Sequence, residues 1–322
     1  MTLGMENGPG VQLMSNCHGV RGPFAVMAAA LMLCISLTGA MAQPAMTPAY
    51  LDDFSARKAT AVLSNGIMLA YLDLGPRDAR PVVLIHGYTD SARDWAPIAP
   101  LLTPRFRLII VDLRGHGASG KPECCYTRFD FAYDIRLLLD SLHIRSADVV
   151  GHSLGSIVAQ TFAELWPAYT RRLVLISSTG TSFVSDEHSS DNWLTPVRQL
   201  TDPIDPDSAF MLDWWRESIR FNPEFARRQR QEAAAIPARV WRAIADQSLI
   251  GVDLRSMMPR VEAPTLLVWG GHDSLVSDAG REALRAGIAR AEVRNFPSLG
   301  HDLFWEDPRA VATVITEFLA KP

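Results

Sequence analysis

The sequence predicts an α/β fold: a mostly parallel eight-stranded sheet with helices on both faces and an inserted helical cap. Three observations carry this reading. Short β-rich runs alternate with amphipathic stretches along most of the chain. Several of those runs are apolar at successive positions, as strands covered on both faces are. One long stretch, from about Thr179 to Met258, breaks the alternation with aromatic and arginine-rich helical patterns. Strands alternating with helices imply right-handed crossovers, and they place an active site at the carboxyl ends of the strands.

The elements follow in order. Only Glu6 and Arg21 are charged before Asp52, Phe24 to Leu37 is almost entirely apolar, and Ala40, Met41, Ala42 form a small-x-small site. Residues 1–42 therefore read as an export signal cleaved after Ala42, which sends the mature chain to the periplasm or the medium with no stable membrane association. The alternative is an uncleaved anchor, since Phe24 to Ala42 is just long enough to span a bilayer. After a linker from Gln43 to about Leu51, Ala59–Leu63 and Ile67–Leu74 flank Asn65 and Gly66 as a hairpin. Strands are expected at Pro81–His86, Phe106–Asp112, Ala147–Gly151, Arg172–Ser177, Thr265–Trp269 and Ala291–Phe296. Helices are expected at Arg93–Leu102, Phe131–Leu142, Leu154–Leu165, Val276–Ile288 and Asp307–Leu319. The domain reading is a core over 43–178, a helical cap over 179–258 and the rest of the core over 259–322. Within the cap, Phe210–Arg220 and Pro223–Ala235 look helical, and the proline-bearing Val184–Ser208 reads as a loop.

Composition narrows the function. The chain has 322 residues, 48% hydrophobic and 20% charged, which is ample for a sizeable core. A net charge of -4 and a pI near 6.1 leave no basic field for a phosphate backbone, so nucleic acid is not an expected partner. Cys17 and Cys34 leave with the signal. The remaining neighbours Cys124 and Cys125 read as a surface loop pair and cannot staple distant segments.

The strongest motif is Gly151, His152, Ser153, Leu154, Gly155, between an apolar strand run and a helical run. A serine there occupies a sharp strand-to-helix turn, with small residues two positions either side relieving crowding. The helix that begins at Leu154 aims its backbone N–H groups at the reacting centre.

With these residues the chain resembles the α/β-hydrolase superfamily from about Ala59 onward, and within it the capped esterases, lactonases and haloperoxidase-like enzymes. Further landmarks match in order: His86 and Gly87 after the third strand; Asp112, Leu113, Arg114, Gly115, His116 and Gly117 after the fourth; Gly270 and Asp273 after Thr265–Trp269; Gly300 and His301 after the last. The order nucleophile, acid, histidine is that superfamily's.

A serine hydroxyl needs a base, and His301 is that base. Asp273 holds its imidazole in the required tautomer, and Asp302, adjacent on an extended backbone, points away. By resemblance the oxyanion donors are the backbone N–H groups of Leu154 and Tyr88. Trp214, Trp215, Phe210 and Phe304 are the candidate apolar walls of a substrate cleft, among aromatic residues that are mostly cap core. His86 and His116 are assigned to strand-end hydrogen bonds, His152 to packing beside the turn, and Arg114 with Asp112 to a buried pair that braces loops. His272 has no second ligand at a metal-binding spacing, and no glycine-rich dinucleotide or P-loop motif is present, so neither metal nor cofactor is expected. The expected partner is a small ester or lactone. Carbon–carbon hydrolysis, perhydrolysis and aminopeptidase-type cleavage stay open as alternatives, the last needing a cap carboxylate such as Asp213, Glu217, Glu224 or Glu232. A binding protein on the same fold is the alternative of another class.

Overall fold

The computed structural model of the protein describes residues 46–182, 193–216 and 222–322. The export segment expected over residues 1–42 lies outside them.

Eight strands form one sheet: β1 (Ala59–Val62), β2 (Met68–Leu74), β3 (Arg80–Ile85), β4 (Phe106–Val111), β5 (Ala147–His152), β6 (Thr170–Ile176), β7 (Thr265–Gly270) and β8 (Ala291–Phe296). Their spatial order is β1-β2-β4-β3-β5-β6-β7-β8. The pairs β1/β2 and β2/β4 are antiparallel, and all the others are parallel. The chain steps outward from β3 to β4 and then returns to lay β5 on the other side of β3. At such a reversal the loops leaving neighbouring strands part and open a crevice. In register, Ile85 of β3 lies beside Gly151 of β5. The segments after them, starting at His86 and at Ser153, therefore emerge side by side.

The middle strands are covered on both faces, β5 at every residue. The last strand differs from them: β8 is partly or fully exposed throughout. Glu292, Arg294 and Asn295 give it the polar face that an edge strand tolerates.

Helices depart from the sequence reading at their ends. Part of the expected linker is α1 (Pro48–Ala56), capped by the Thr47 side chain, with Leu51 and Phe54 buried. The expected helix Arg93–Leu102 is two short pieces, a 3-10 turn at Ala92–Trp95 and α2 (Ala99–Leu102), because Pro97 and Pro100 interrupt the backbone donors. α3 (Arg128–Ser141) starts three residues before the expected Phe131, where Thr127 and Asp130 make a reciprocal capping box. In α4 (Leu154–Leu165) every residue but the last is buried.

Between β6 and β7 the described residues include α5 (Leu194–Gln199), α6 (Ala209–Trp214), α7 (Pro223–Ala234) and α8 (Ala238–Ile244). α5 lies inside the stretch expected to be a loop; Pro196 is in its first turn, where a missing N–H breaks no helical bond. The chain ends with α9 (Asp278–Gly287), α10 (Leu303–Glu306) and α11 (Pro308–Ala320). No helix among the described residues is long and apolar enough to cross a membrane.

The buried pair expected between Arg114 and Asp112 is instead two pairs. Asp112 accepts from Lys58 Nζ at 3.0 and 2.8 Å, and also from the Ala92 and Ala118 N–H groups. Arg114 clasps Asp134 through two bonds of 2.6 Å. Both partners come from remote elements, which residue spacing could not reveal. Cys124 and Cys125 are joined to each other by a disulfide, which encloses no loop.

Candidate active site

Ser153 sits between β5 and α4 with φ 50 and ψ -119. A non-glycine residue pays strain for such a backbone, so the surroundings must impose it. They do so from both sides: Ser153 N–H donates to Ile176 O at 3.0 Å, and Ser156 returns its N–H and hydroxyl to Ser153 O. The flanking glycines are steric necessities. A Cβ on Gly151 would stand 2.1 Å from Gly155 O, and one on Gly155 would stand 2.2 Å from Ile85 O. The helix thus packs directly on strand backbone, and its first residue, Leu154, carries an N–H with no partner inside the helix.

Twenty-eight positions apart in sequence, His301 and Asp273 meet through a 2.9 Å bond from Nδ1 to Oδ1. Asp273 follows β7, and the same Oδ1 accepts from Leu275 N–H at 2.9 Å. Burial alone would lower the His301 pKa, but the Asp273 carboxylate, by charge and hydrogen bond, holds it above its ordinary value. Burial pushes Asp273 the other way, and His301 with the Leu275 N–H brings it below the usual carboxylate value. Asp302, set aside on sequence grounds, is indeed not the partner of His301 Nδ1; its carboxylate faces His152 Nε2 at 3.6 Å.

The His301 carbonyl is held against the nucleophile turn by Ser177 Oγ at 2.6 Å and His152 Nε2 at 3.2 Å. No hydrogen bond joins Ser153 Oγ to the His301 ring among the described residues. Beside the turn, a Cβ on Gly87 would lie 3.4 Å from Ser153 Cβ, so the loop after β3 passes close beside Ser153. The next N–H, that of Tyr88, makes no hydrogen bond among the described residues, as an oxyanion donor requires.

The aromatic candidates divide. Trp214 and Phe210 are half-buried; Trp214 donates Nε1–H to Thr89 Oγ1 at 3.1 Å, and its ring is 5.9 Å from that of Tyr88. Trp215 and Phe304 do not form a free-standing wall. Phe304 is fully buried and stacks on Trp95 at 4.8 Å, while Trp215 is 4% exposed and stacks on Trp305 at 6.1 Å. Each has a ring partner in the core that the sequence did not indicate. Trp193 and Trp241 complete the set of rings around Tyr88 at 6.2 and 5.6 Å.

His86 and His116 are buried and neutral. His86 donates from Nδ1 to Gly87 O and accepts the Leu113 N–H at Nε2, and burial pushes its pKa down to about 3. Burial does the same to His116, beside Arg114 O. His272 is exposed. Sequence reasoning missed a buried acidic group: Asp90, Asp94 and His152 bring ligand atoms within 4.8 Å of one another, the one such grouping among the described residues. Burial raises the pKa of both aspartates, and lifts that of Asp302 to about 6. Two aspartates four positions apart after His86 and Gly87 were its only trace in sequence.

Three of the four carboxylates that an aminopeptidase would need are paired. Glu232 takes Arg93 and Ser91, Glu224 takes Arg227 and Arg228, and Asp213 pairs with Arg216; Glu217 lies outside the described residues.

A family model described as alpha/beta hydrolase fold matches residues 80–308. A putative 2-succinyl-6-hydroxy-2,4-cyclohexadiene-1-carboxylate synthase of Bacillus subtilis (strain 168) is 28% identical over 275 residues, 80% of this chain and 96% of that one. The 2-hydroxymuconate semialdehyde hydrolase of Pseudomonas sp. (strain CF600) is 29% identical over 257 residues, covering 75% of this chain and 87% of its own. Among solved structures, a hydrolase from Pseudomonas aeruginosa PA01 superposes with a TM-score of 0.72 at 28% identity, over 82% of this chain and 98% of that one.

Proposed function

From the premise that this chain belongs to the alpha/beta hydrolase fold family, we propose that it hydrolyses a carboxylic ester or lactone of a small, fairly apolar molecule through an acyl-Ser153 intermediate. One observation carries the reading: a buried carboxylate, Asp273, holds His301 Nδ1 at 2.9 Å beside a serine on a strained turn. With Nδ1–H committed to Asp273, Nε2 is the basic nitrogen. Closing on Ser153, it takes the hydroxyl proton as Oγ attacks the carbonyl carbon, and returns that proton to the leaving alcohol. The N–H groups of Leu154 and Tyr88 receive the oxyanion. Water, giving a proton to the same nitrogen, then attacks the acyl carbon; the bond to Oγ breaks, the proton passes from Nε2 to Oγ, and the acid leaves.

The half-buried rings of Tyr88, Trp193, Phe210 and Trp214 supply an apolar wall next to the nucleophile. That wall, with Asp213, Glu224 and Glu232 already paired, favours an ester or lactone over a substrate with a free amine. In this reading residues 179–258 act as the cap that selects the substrate. The named activities of the relatives, a synthase and a semialdehyde hydrolase, differ from each other at similar identity. Membership alone therefore selects no substrate.

The test is pre-steady-state turnover of a chromogenic acyl ester, beside a panel of esters, lactones and aminoacyl amides. We expect a burst near one equivalent, abolished in Ser153→Ala. A burst that survives in Ser153→Ala would contradict the proposal. Export through the residue 1–42 segment belongs to the same reading, and N-terminal sequencing of exported protein should find Gln43 first.

A further inference from the structure

His152, the residue before the nucleophile, is 1% exposed, yet its nitrogens face groups of the site rather than the apolar core. Nε2 lies 3.2 Å from the His301 carbonyl oxygen. A carbonyl only accepts, so Nε2 carries the hydrogen. Nδ1 then faces Asp94 Oδ2 at 3.6 Å, in surroundings where neither Asp94 oxygen has another partner. The ring is also fixed sterically: Phe304 meets it edge-on at 4.9 Å and 83°, and Phe304 is itself stacked on Trp95.

His301 needs such an anchor. It lies on the loop that follows β8, the exposed edge strand. Among the described residues its carbonyl accepts from His152 and Ser177, residues at the ends of β5 and β6. Ser153 follows β5 directly. The imidazole of His152 therefore ties the loop that carries the base to the turn that carries the nucleophile.

We infer that His152 is a positioning residue: donation from its Nε2–H to the His301 carbonyl sets where the His301 ring stands relative to the Ser153 hydroxyl. The kinetic consequence rests on the acyl-serine reading proposed above; the structural consequence does not.

The test compares His152→Phe, which keeps a ring and loses the donor, with His152→Gln, whose amide N–H can reach the same carbonyl. Three quantities are measured: kcat and KM on a chromogenic ester, the downfield proton NMR signal of the His301–Asp273 bond, and the melting temperature. A small displacement of a catalytic base costs about 10- to 100-fold in rate. His152→Phe should therefore lose about that much kcat with KM within about threefold, and its downfield signal should shift or broaden. His152→Gln should recover most of the rate and the signal. Wild-type kcat with an unmoved signal in His152→Phe would overturn the inference, as would equal losses in the two variants. So would one equivalent of zinc bound by wild type and lost in His152→Phe, since Nδ1 would then be a ligand. If His152→Phe does not fold, His152→Met carries the same outcomes. Should wild type give no acyl burst, the proposed function fails alone, and the NMR signal still decides the role of His152.

Discussion

Tyr88 Oη donates to the Trp241 carbonyl at 2.7 Å, linking the loop after β3 to the helical insertion 153 residues later. Its neighbour Gly87 passes beside Ser153, so this loop joins the proposed oxyanion site to the helical insertion. Tyr88→Phe removes only this link and leaves the N–H in place. A neutral buried hydrogen bond contributes about 1 kcal/mol, close to a fivefold change. We expect kcat/KM on the best ester to fall about three- to tenfold, carried mainly by KM as the apolar wall loosens. A loss of several hundredfold would mean that the hydroxyl takes part in the chemistry.

The His301–Asp273 pair sets the acid limb of the rate profile. The proposed mechanism uses neutral His301, whose pKa Asp273 raises above the ordinary 6.5. The kcat/KM of the free enzyme should therefore decline with falling pH through a midpoint above 6.5 rather than below it. In Asp273→Asn the carboxylate charge is gone, so the midpoint should move downward while the plateau falls by about two to four orders of magnitude. A midpoint that does not move would separate Asp273 from His301.

The fold was legible where one segment decides its own structure. Continuous apolar runs marked β3 to β7, and the glycines around Ser153 marked the turn, because both signals are local. What was not legible was set by remote partners. Trp215 and Phe304 are cleft candidates by position, yet Trp305 and Trp95 draw their rings into the core. Likewise Arg114 sits two residues from Asp112 and pairs with Asp134, on α3. Nothing in the spacing of His152 marked its contact with His301, since 149 residues separate them.

Arg114 and Asp134 give a stability test. The Arg114 side chain is 5% exposed and that of Asp134 1%, with Asp130 the nearest other carboxylate at 3.9 Å. Removing one partner of a buried pair costs about 3–5 kcal/mol, because the other charge remains without its counterpart. Asp130 offsets some of this. Asp134→Ala should lose about 3 kcal/mol in urea unfolding, and Arg114→Met with Asp134→Leu should lose much less than that. Equal losses would show that packing, rather than the stranded charge, sets the cost.

His116 makes the acid side of the stability curve measurable at one position. Its folded-state pKa is pushed by burial to about 3, well below the 6.5 of an exposed histidine. Between those values the unfolded chain takes up a proton that the folded chain refuses, so this residue's contribution falls as pH drops below 6.5 and is intact above it. At pH 5.5 the loss is about 1.4 kcal/mol, against almost none at pH 7.5. His116→Asn keeps an N–H near the Arg114 carbonyl that His116 Nδ1 now contacts at 3.0 Å, and it cannot be protonated. His86 is common to both proteins and drops out of the comparison. The difference in unfolding free energy between variant and wild type should therefore shift by about 1.4 kcal/mol in favour of the variant on going from pH 7.5 to 5.5. A difference that stays constant across that range would show that His116 is not excluded from protonation in the folded chain.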